Sequence, residues 1–183
     1  LNRTSAVDRS PTATRGRPER AAAAGDALAV RPVRRADLDQ VIAIDAGVTG
    51  LEKRVYWQRV YRRYGVGGDR DQRHFLVALL GARVVGFLIG EVRDWEFGSP
   101  PCGWVFVIDV DPQVRQAGVG TQLLAAICAR FRRAGVRKLR TLLARDNTLI
   151  LSFFRSQGMV AGPLIPLEMD LLPARTNGAS RER

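Results

Sequence analysis

Residues 104–124 read WVFVIDVDPQVRQAGVGTQLL, which is a strand, a sharp loop and the start of a helix in one continuous piece. Trp104 to Val110 is β-branched, aromatic and apolar apart from Asp109, the composition of a strand buried on both faces, and Asp111-Pro112 stops it. Arg115, Gly118 and Gly120 follow. Leu123, Leu124, Ile127 and Phe131 then recur at helical spacing, which puts both glycines in the opening turn of a helix. With no side chain at 118 or 120, a phosphate can approach the backbone, where unpaired first-turn N–H groups and the positive end of the helix dipole favour an anion. Arg115 adds a full charge. With 18 glycines in the chain, an ordinary strand-to-helix turn is the competing reading of this pair taken alone.

Outward from this segment, 183 residues with 46% apolar content suffice for one well-buried core and are too few for two ordinary domains. Two cysteines, Cys102 and Cys128, and one histidine, His74, neither make a four-ligand metal site nor resemble a disulfide framework. The cysteines read as reduced and structural, and the expected location is the cytoplasm. No apolar run reaches the roughly 18 residues of a membrane span. The net charge of +11 is spread along the chain. Residues 1–27 set five Arg against Asp8, Glu19 and Asp26, residues 173–183 set three Arg against Glu182, and 28–172 therefore carries +7. Such a domain could attract nucleic acid or a polyanionic cofactor, and charge alone favours neither.

Residues 1–27 contain almost no large apolar side chains and read as a disordered arm, and residues 173–183 as a flexible tail. Between them the pattern predicts a strand over Leu28–Val33, helices over Asp37–Asp45 and Leu51–Tyr64, and a hairpin of Phe75–Leu80 and Arg83–Val92 turning at Gly81-Ala82. The second helix carries Trp57, Val60, Tyr61 and Tyr64 on one stripe. His74, at the hairpin's entrance, reads as a surface residue. After the central segment come a strand at Lys138–Leu143, a helix at Thr148–Gln157 ended by Gly158, and a last strand at Leu164–Leu172.

The run Ile108-Asp-Val110-Asp-Pro112-Gln-Val-Arg115-Gln-Ala-Gly118-Val-Gly120 resembles the acetyl-CoA signature of the GCN5-related N-acetyltransferases (GNAT), V-x-P-x-x-[RQ]-x-x-G-x-[GA] leading into a helix. A second block, Asn147-x-x-Ile150-Leu151-x-Phe153-Phe154-x-x-x-Gly158-Met159, is similar to the family's closing block, and the resemblance covers about 28–172. The resemblance implies an α/β (α+β) fold with a mixed, largely antiparallel sheet splayed after its fourth strand. It implies that the backbone of Ile108, Asp109 and Val110 pairs with the pantetheine amides, and that Arg115, Gln116, Ala117, Gly118, Val119, Gly120 and Thr121 cradle the pyrophosphate. Asn147 would contact the pantetheine arm beneath the helix that carries Phe154. Two departures matter: Phe154 stands where the family often has a tyrosine that protonates the leaving thiolate, and Gln116 where many members have glycine.

The implied activity is direct attack of a primary amine on acetyl-CoA in a ternary complex, with no metal. A general base must lie beside the central strand; Glu91, at the end of the neighbouring strand, is the first candidate and Asp109 the second, with Asp94 and Glu96 in reach on a loop. By period-two alternation Trp104 and Phe106 share the face of Ile108 and Val110, and the resemblance puts that end of the strand on the acceptor side. Thr49, Glu52, Lys53, Tyr56 and Trp57 on the first two helices would wall the same pocket. Trp57, Trp104 and Phe106 describe a site for a small hydrophobic or aromatic amine, with or without a carboxylate, rather than a polycation. The competing readings are a lysine or protein N-terminal acetyltransferase, an acyl-CoA-binding module that has lost catalysis, and a nucleic-acid-binding protein using Arg130, Arg132, Arg133, Arg137, Lys138 and Arg140. A homodimer is compatible with all of them.

Overall fold

The computed structural model describes residues 27–66, 72–114 and 117–171. The N-terminal arm up to residue 26, Arg115, Gln116 and the tail from 172 onward lie outside them. The elements are β1 (Leu28–Pro32), α1 (Leu38–Thr49), α2 (Arg54–Tyr64), β2 (Arg73–Leu80), β3 (Arg83–Arg93), β4 (Cys102–Val110), α3 (Val119–Arg133), β5 (Leu139–Thr141) and α4 (Thr148–Ser156). The chain divides into two compact units, Leu1–Thr141 and Leu142–Arg183.

In the first unit the strands lie in the order β1-β2-β3-β4-β5; the first four are antiparallel neighbours and β5 runs parallel to β4. The mixed, mostly antiparallel sheet expected from sequence is therefore present. Residues 75–80 of β2 and 84–90 of β3 are apolar runs, glycines included, because both their faces are covered. On one face Phe75, Val77, Phe87 and Ile89 meet Val41 and Ile42 of α1 and Trp57 of α2. On the other face α3 presses so close that β3 and β4 use glycine beneath it. A Cβ on Gly90 would lie 2.5 Å from the Trp104 carbonyl oxygen and 2.6 Å from Ile127 Cδ1, and one on Gly103 would collide with the Phe131 ring.

One residue changes the reading of β4. Ile89 pairs with Val107 but its neighbour Gly90 pairs with Val105, so Phe106 is an extra residue, a β-bulge. Period-two alternation consequently fails across it. Trp104 lies opposite Glu91, on the α1/α2 face with Phe87 and Ile89, whereas Ile108 and Val110, opposite Leu88 and Gly86, lie on the α3 face. The expectation that Trp104 and Phe106 share a face with Ile108 and Val110 is corrected by this shift.

Other differences have local causes. β5 is limited to three residues because its ladder with β4 ends at Val105↔Thr141, where the Thr141 hydroxyl donates to the Val105 carbonyl at 3.0 Å. His74 is buried, its ring tilted against Phe131 at 5.7 Å, and is not the surface residue expected. In the second unit Asn147 caps α4 by accepting the Ile150 N–H at 3.2 Å, and Gly158 ends the helix's last turn at φ +84. The strand expected at Leu164–Leu172 is absent over the described 164–171. Pro166 removes a ladder donor from the middle of that stretch, and Ile165, Leu167, Met169 and Leu171 are exposed. Among the described residues no helix is long and apolar enough to cross a membrane.

Candidate active site

The site is built at both ends of β4. At its C-terminal end the parallel ladder with β5 stops at Val105, while β4 runs on to Val110. The edge of Phe106 to Val110 that faces away from β3 thus has no partner within the sheet. Pro112–Val114 forms a single 3-10 turn, and α3 begins at Val119 with Gly118 as its N-cap in the left-handed region (φ +73). No side chain caps this helix, its first turn holds no acidic residue, and a Cβ on Gly118 would meet nothing within 4 Å. Open backbone donors at a positive helix end suit a pyrophosphate, and the free strand edge suits an extended amide chain. Both features fit coenzyme A.

At the N-terminal half of β4 a polar cluster sits on the α1/α2 face. Glu91 is only 8% exposed; Arg93 Nε donates to its Oε1 at 3.1 Å, and Arg73 Nε lies 3.9 Å from Oε2. Arg93 also reaches Glu96 Oε2 at 3.3 Å and lays its guanidinium over the rings of Phe106 (4.6 Å) and Trp104 (5.3 Å). Burial works against the Arg93 charge, but its hydrogen bonds and ion pairs with Glu91 and Glu96 more than restore it. Tyr64, the last residue of α2, stands edge-on to Phe106 at 6.3 Å. Burial first, and then the Glu91 carboxylate, push its hydroxyl above the usual tyrosine range.

Residues 49–159 match the acetyltransferase (GNAT) family. The chain belongs to that family. Among curated proteins it is 34% identical over 79 residues to the L-2,4-diaminobutyric acid acetyltransferase of Nocardia farcinica, covering 43% of this chain and 39% of that protein. It is 30% identical over 91 residues to the mycothiol acetyltransferase of Kocuria rhizophila, covering 48% and 30% respectively. The matches thus span well under half the length of these relatives. Among solved structures, the aminoglycoside N-acetyltransferase AAC(6')-Iy in complex with CoA superposes with a TM-score of 0.70 at 18% identity, covering 81% of this chain and 97% of that one. A transcriptional regulator from Bacillus halodurans superposes at 0.68 and 18%, covering 79% and 99%. At that identity the two structures speak for the GNAT fold alone.

On this GNAT frame the residues singled out from sequence fall into groups. Ile108, Asp109 and Val110 lie on the free edge of β4, Ala117 and Gly118 form the turn that leads into α3, and Val119, Gly120 and Thr121 are its first residues. Glu91, Trp104 and Phe106 come together on the α1/α2 face. Asp109 lies opposite Phe87, on the same face as Val107 and five positions beyond Trp104. Trp57 is a core residue: it is 1% exposed, its Nε1 donates to Asp45 Oδ2 at 2.8 Å, and its ring meets Phe75 and Phe87, so it walls no pocket. Lys53 is likewise tied to Asp45 at 3.0 Å. Asn147 and Phe154 belong to the second unit. Sequence reasoning passed over Arg93, read Tyr64 only as part of an apolar stripe, and read Arg140, which stands beside Trp104 across the β4–β5 ladder, only as part of a basic run. For Arg93 a signal existed, since it stands two residues after Glu91 on one strand and so shares its face. Burial raises both cysteine thiols, Cys102 and Cys128, which form no disulfide. Among the described residues no three His, Cys, Asp or Glu side chains gather as metal ligands.

Proposed function

We propose that this chain transfers the acetyl group of acetyl-CoA to a primary amine by direct attack within a ternary complex. The observation that carries the reading is the free edge of β4 running straight into an uncapped helix N-terminus at Gly118, in a chain whose residues 49–159 match an acetyltransferase family. The pantetheine amides pair with Ile108 to Val110. The pyrophosphate rests on the N–H groups of Val119, Gly120 and Thr121; Arg115 and Gln116, which the family resemblance adds to this contact, lie outside the described residues.

This places the thioester near the bulge at Phe106, where β4 and β5 part. The amine approaches over the α1/α2 face, and Glu91 is the carboxylate on that face nearest the end of the ladder. Glu91 receives the ammonium proton, directly or through the Tyr64 hydroxyl or water, and the free amine attacks the carbonyl carbon. The tetrahedral intermediate collapses with loss of the CoA thiolate, and the second proton of the attacking nitrogen is released to solvent, which protonates the thiolate. Phe154 has no proton to give, and a thiol of pKa about 8.5 leaves adequately with solvent as its acid.

The acceptor is a small amine. The curated relatives are named for diaminobutyrate and mycothiol, and aminoglycoside acetyltransferases share the fold. Arg73, Arg93 and Arg140 outnumber Glu91 and Glu96 around Trp104, which disfavours a polycation. A turnover screen of acetyl-CoA against amino acids, aromatic amines, polyamines, aminoglycosides and lysine peptides tests this, with free CoA as the readout. We expect turnover with small mono- or diamines that bear apolar or anionic groups. Acetyl-CoA binding without turnover of any amine favours the non-catalytic module, and preference for polyamines or aminoglycosides overturns the assigned acceptor class.

A further inference from the structure

Trp104 and Arg140 are register partners on β4 and β5, side by side across the parallel ladder, with the Arg140 guanidinium 5.9 Å from the indole centroid. Each carries a buried donor without a partner. Trp104 is 5% exposed and its Nε1 finds no acceptor; Arg140 Nη2 donates to Ser99 Oγ at 2.9 Å, but Nη1 finds none. No carboxylate among the described residues pairs with Arg140, whereas Arg73 and Arg93 both reach Glu91. Arg140 also lines a cavity of about 470 Å³ together with Ser99, Cys102, Arg137 and Lys138, and no acidic residue faces it.

Buried polar groups in folded proteins are paired as a rule, and an unpaired donor is costly. Two neighbouring orphaned donors, one of them on an unneutralised guanidinium, call for an acceptor with negative charge. We infer that Arg140 and Trp104 hold a carboxylate of the acceptor, so that the amine substrate is an amino acid or another amino-carboxylate. Two N–H donors match the two oxygens of a carboxylate. Arg140 is the cation of that strand row left without a carboxylate, and Arg137 and Lys138 on the cavity wall add to the attraction for an anion. The placement is consistent with the chemistry, because Glu91 sits opposite Trp104 on the other side of β4: the carboxylate is drawn toward β5 and the ammonium toward β3. This inference rests on the acetyl-transfer reading for the substrate's role, though binding itself does not depend on it.

The test compares each amino acid with the amine left when its carboxylate is removed, phenylalanine with 2-phenylethylamine and lysine with 1,5-diaminopentane. The native protein should show a kcat/KM ratio in favour of the acid of roughly 10- to 100-fold, as a charge-assisted pair gives. In Arg140→Gln the ratio should fall to about one. Trp104→Phe, which keeps an aromatic ring and deletes the N–H, should lower it severalfold. A native ratio near one, or a ratio unchanged in both variants, overturns the inference. Calorimetric titration of phenylalanine and lysine into the CoA-saturated protein separates this outcome from failure of the acetyl-transfer reading. Binding of either that is lost in Arg140→Gln supports the carboxylate site even where nothing is turned over, and absence of binding in the native protein rejects it. CoA affinity and melting temperature of each variant report whether it is folded.

Discussion

The two ends of β4 serve the two halves of the proposed reaction, and they are made of different material. From Ile108 onward the described part of the cofactor side is mainly backbone: a free strand edge, a left-handed glycine with open space around it and the opening turn of α3. From Trp104 to Phe106 the acceptor side is side chains, drawn from α2, β3, β4 and β5 and brought together by strand register. Backbone sites depend on local geometry that a short sequence motif dictates. Side-chain sites depend on which residues the sheet sets opposite one another, and a one-residue slip rearranges them.

The largest effect that would break the contrast is at Gly120. If backbone N–H groups hold the pyrophosphate, Gly120→Glu brings bulk and a like charge against it and removes several charge-assisted hydrogen bonds. CoA affinity should drop at least about 100-fold. Gly120 is partly exposed and the first turn of a helix favours an acidic side chain, so the melting temperature should move little. Calorimetry showing native CoA affinity in the folded variant would mean that the phosphate loop is elsewhere.

The next effect sharpens it from the other side. Glu91→Gln keeps the shape of the side chain and its hydrogen bond with Arg93 but removes the proton acceptor. Acetyl transfer should slow by about 100-fold, at the low end for a general base, while CoA affinity stays unchanged. A loss confined to CoA binding would show that the two ends of β4 are not separable, and an unchanged rate would hand the role to Asp109 or a water chain.

The same contrast explains what was legible in the sequence. The order of elements from β1 to α4 and the glycines that open α3 could be read because hydrophobic period and turn chemistry are local signals. The bulge could not, since Phe106 is one more apolar residue in an apolar strand and only its pairing reveals it as extra. Trp57 was drawn into the acceptor pocket for lack of its partner; the Asp45 carboxylate that satisfies the indole lies twelve residues earlier on another helix. Arg140 resembled its basic neighbours Arg137 and Lys138 until β5 set it beside Trp104. The stretch 164–171 has the alternation of a strand, but alternation supplies no partner, and Pro166 weakens its claim to one.

The smallest expected effect is at Tyr64, where side-chain material from α2 meets the cluster. Its hydroxyl is held protonated by burial and by the Glu91 charge, so it serves at neutral pH as a donor or proton relay and never as an anion. Tyr64→Phe removes one neutral hydrogen-bonding group and should cost kcat about two- to tenfold, well short of Glu91→Gln. Stability gives a second readout with a defined sign. Because the folded-state pKa is raised above the unfolded value of 10.0, the stabilisation tied to this proton is complete below pH 10 and is lost as pH rises through the folded-state value. Denaturant midpoints compared at pH 8 and pH 11 should therefore fall further for the native protein than for Tyr64→Phe. Equal falls in both proteins would show that the Tyr64 hydroxyl titrates freely in water, and the proton route from the acceptor would then bypass α2 altogether.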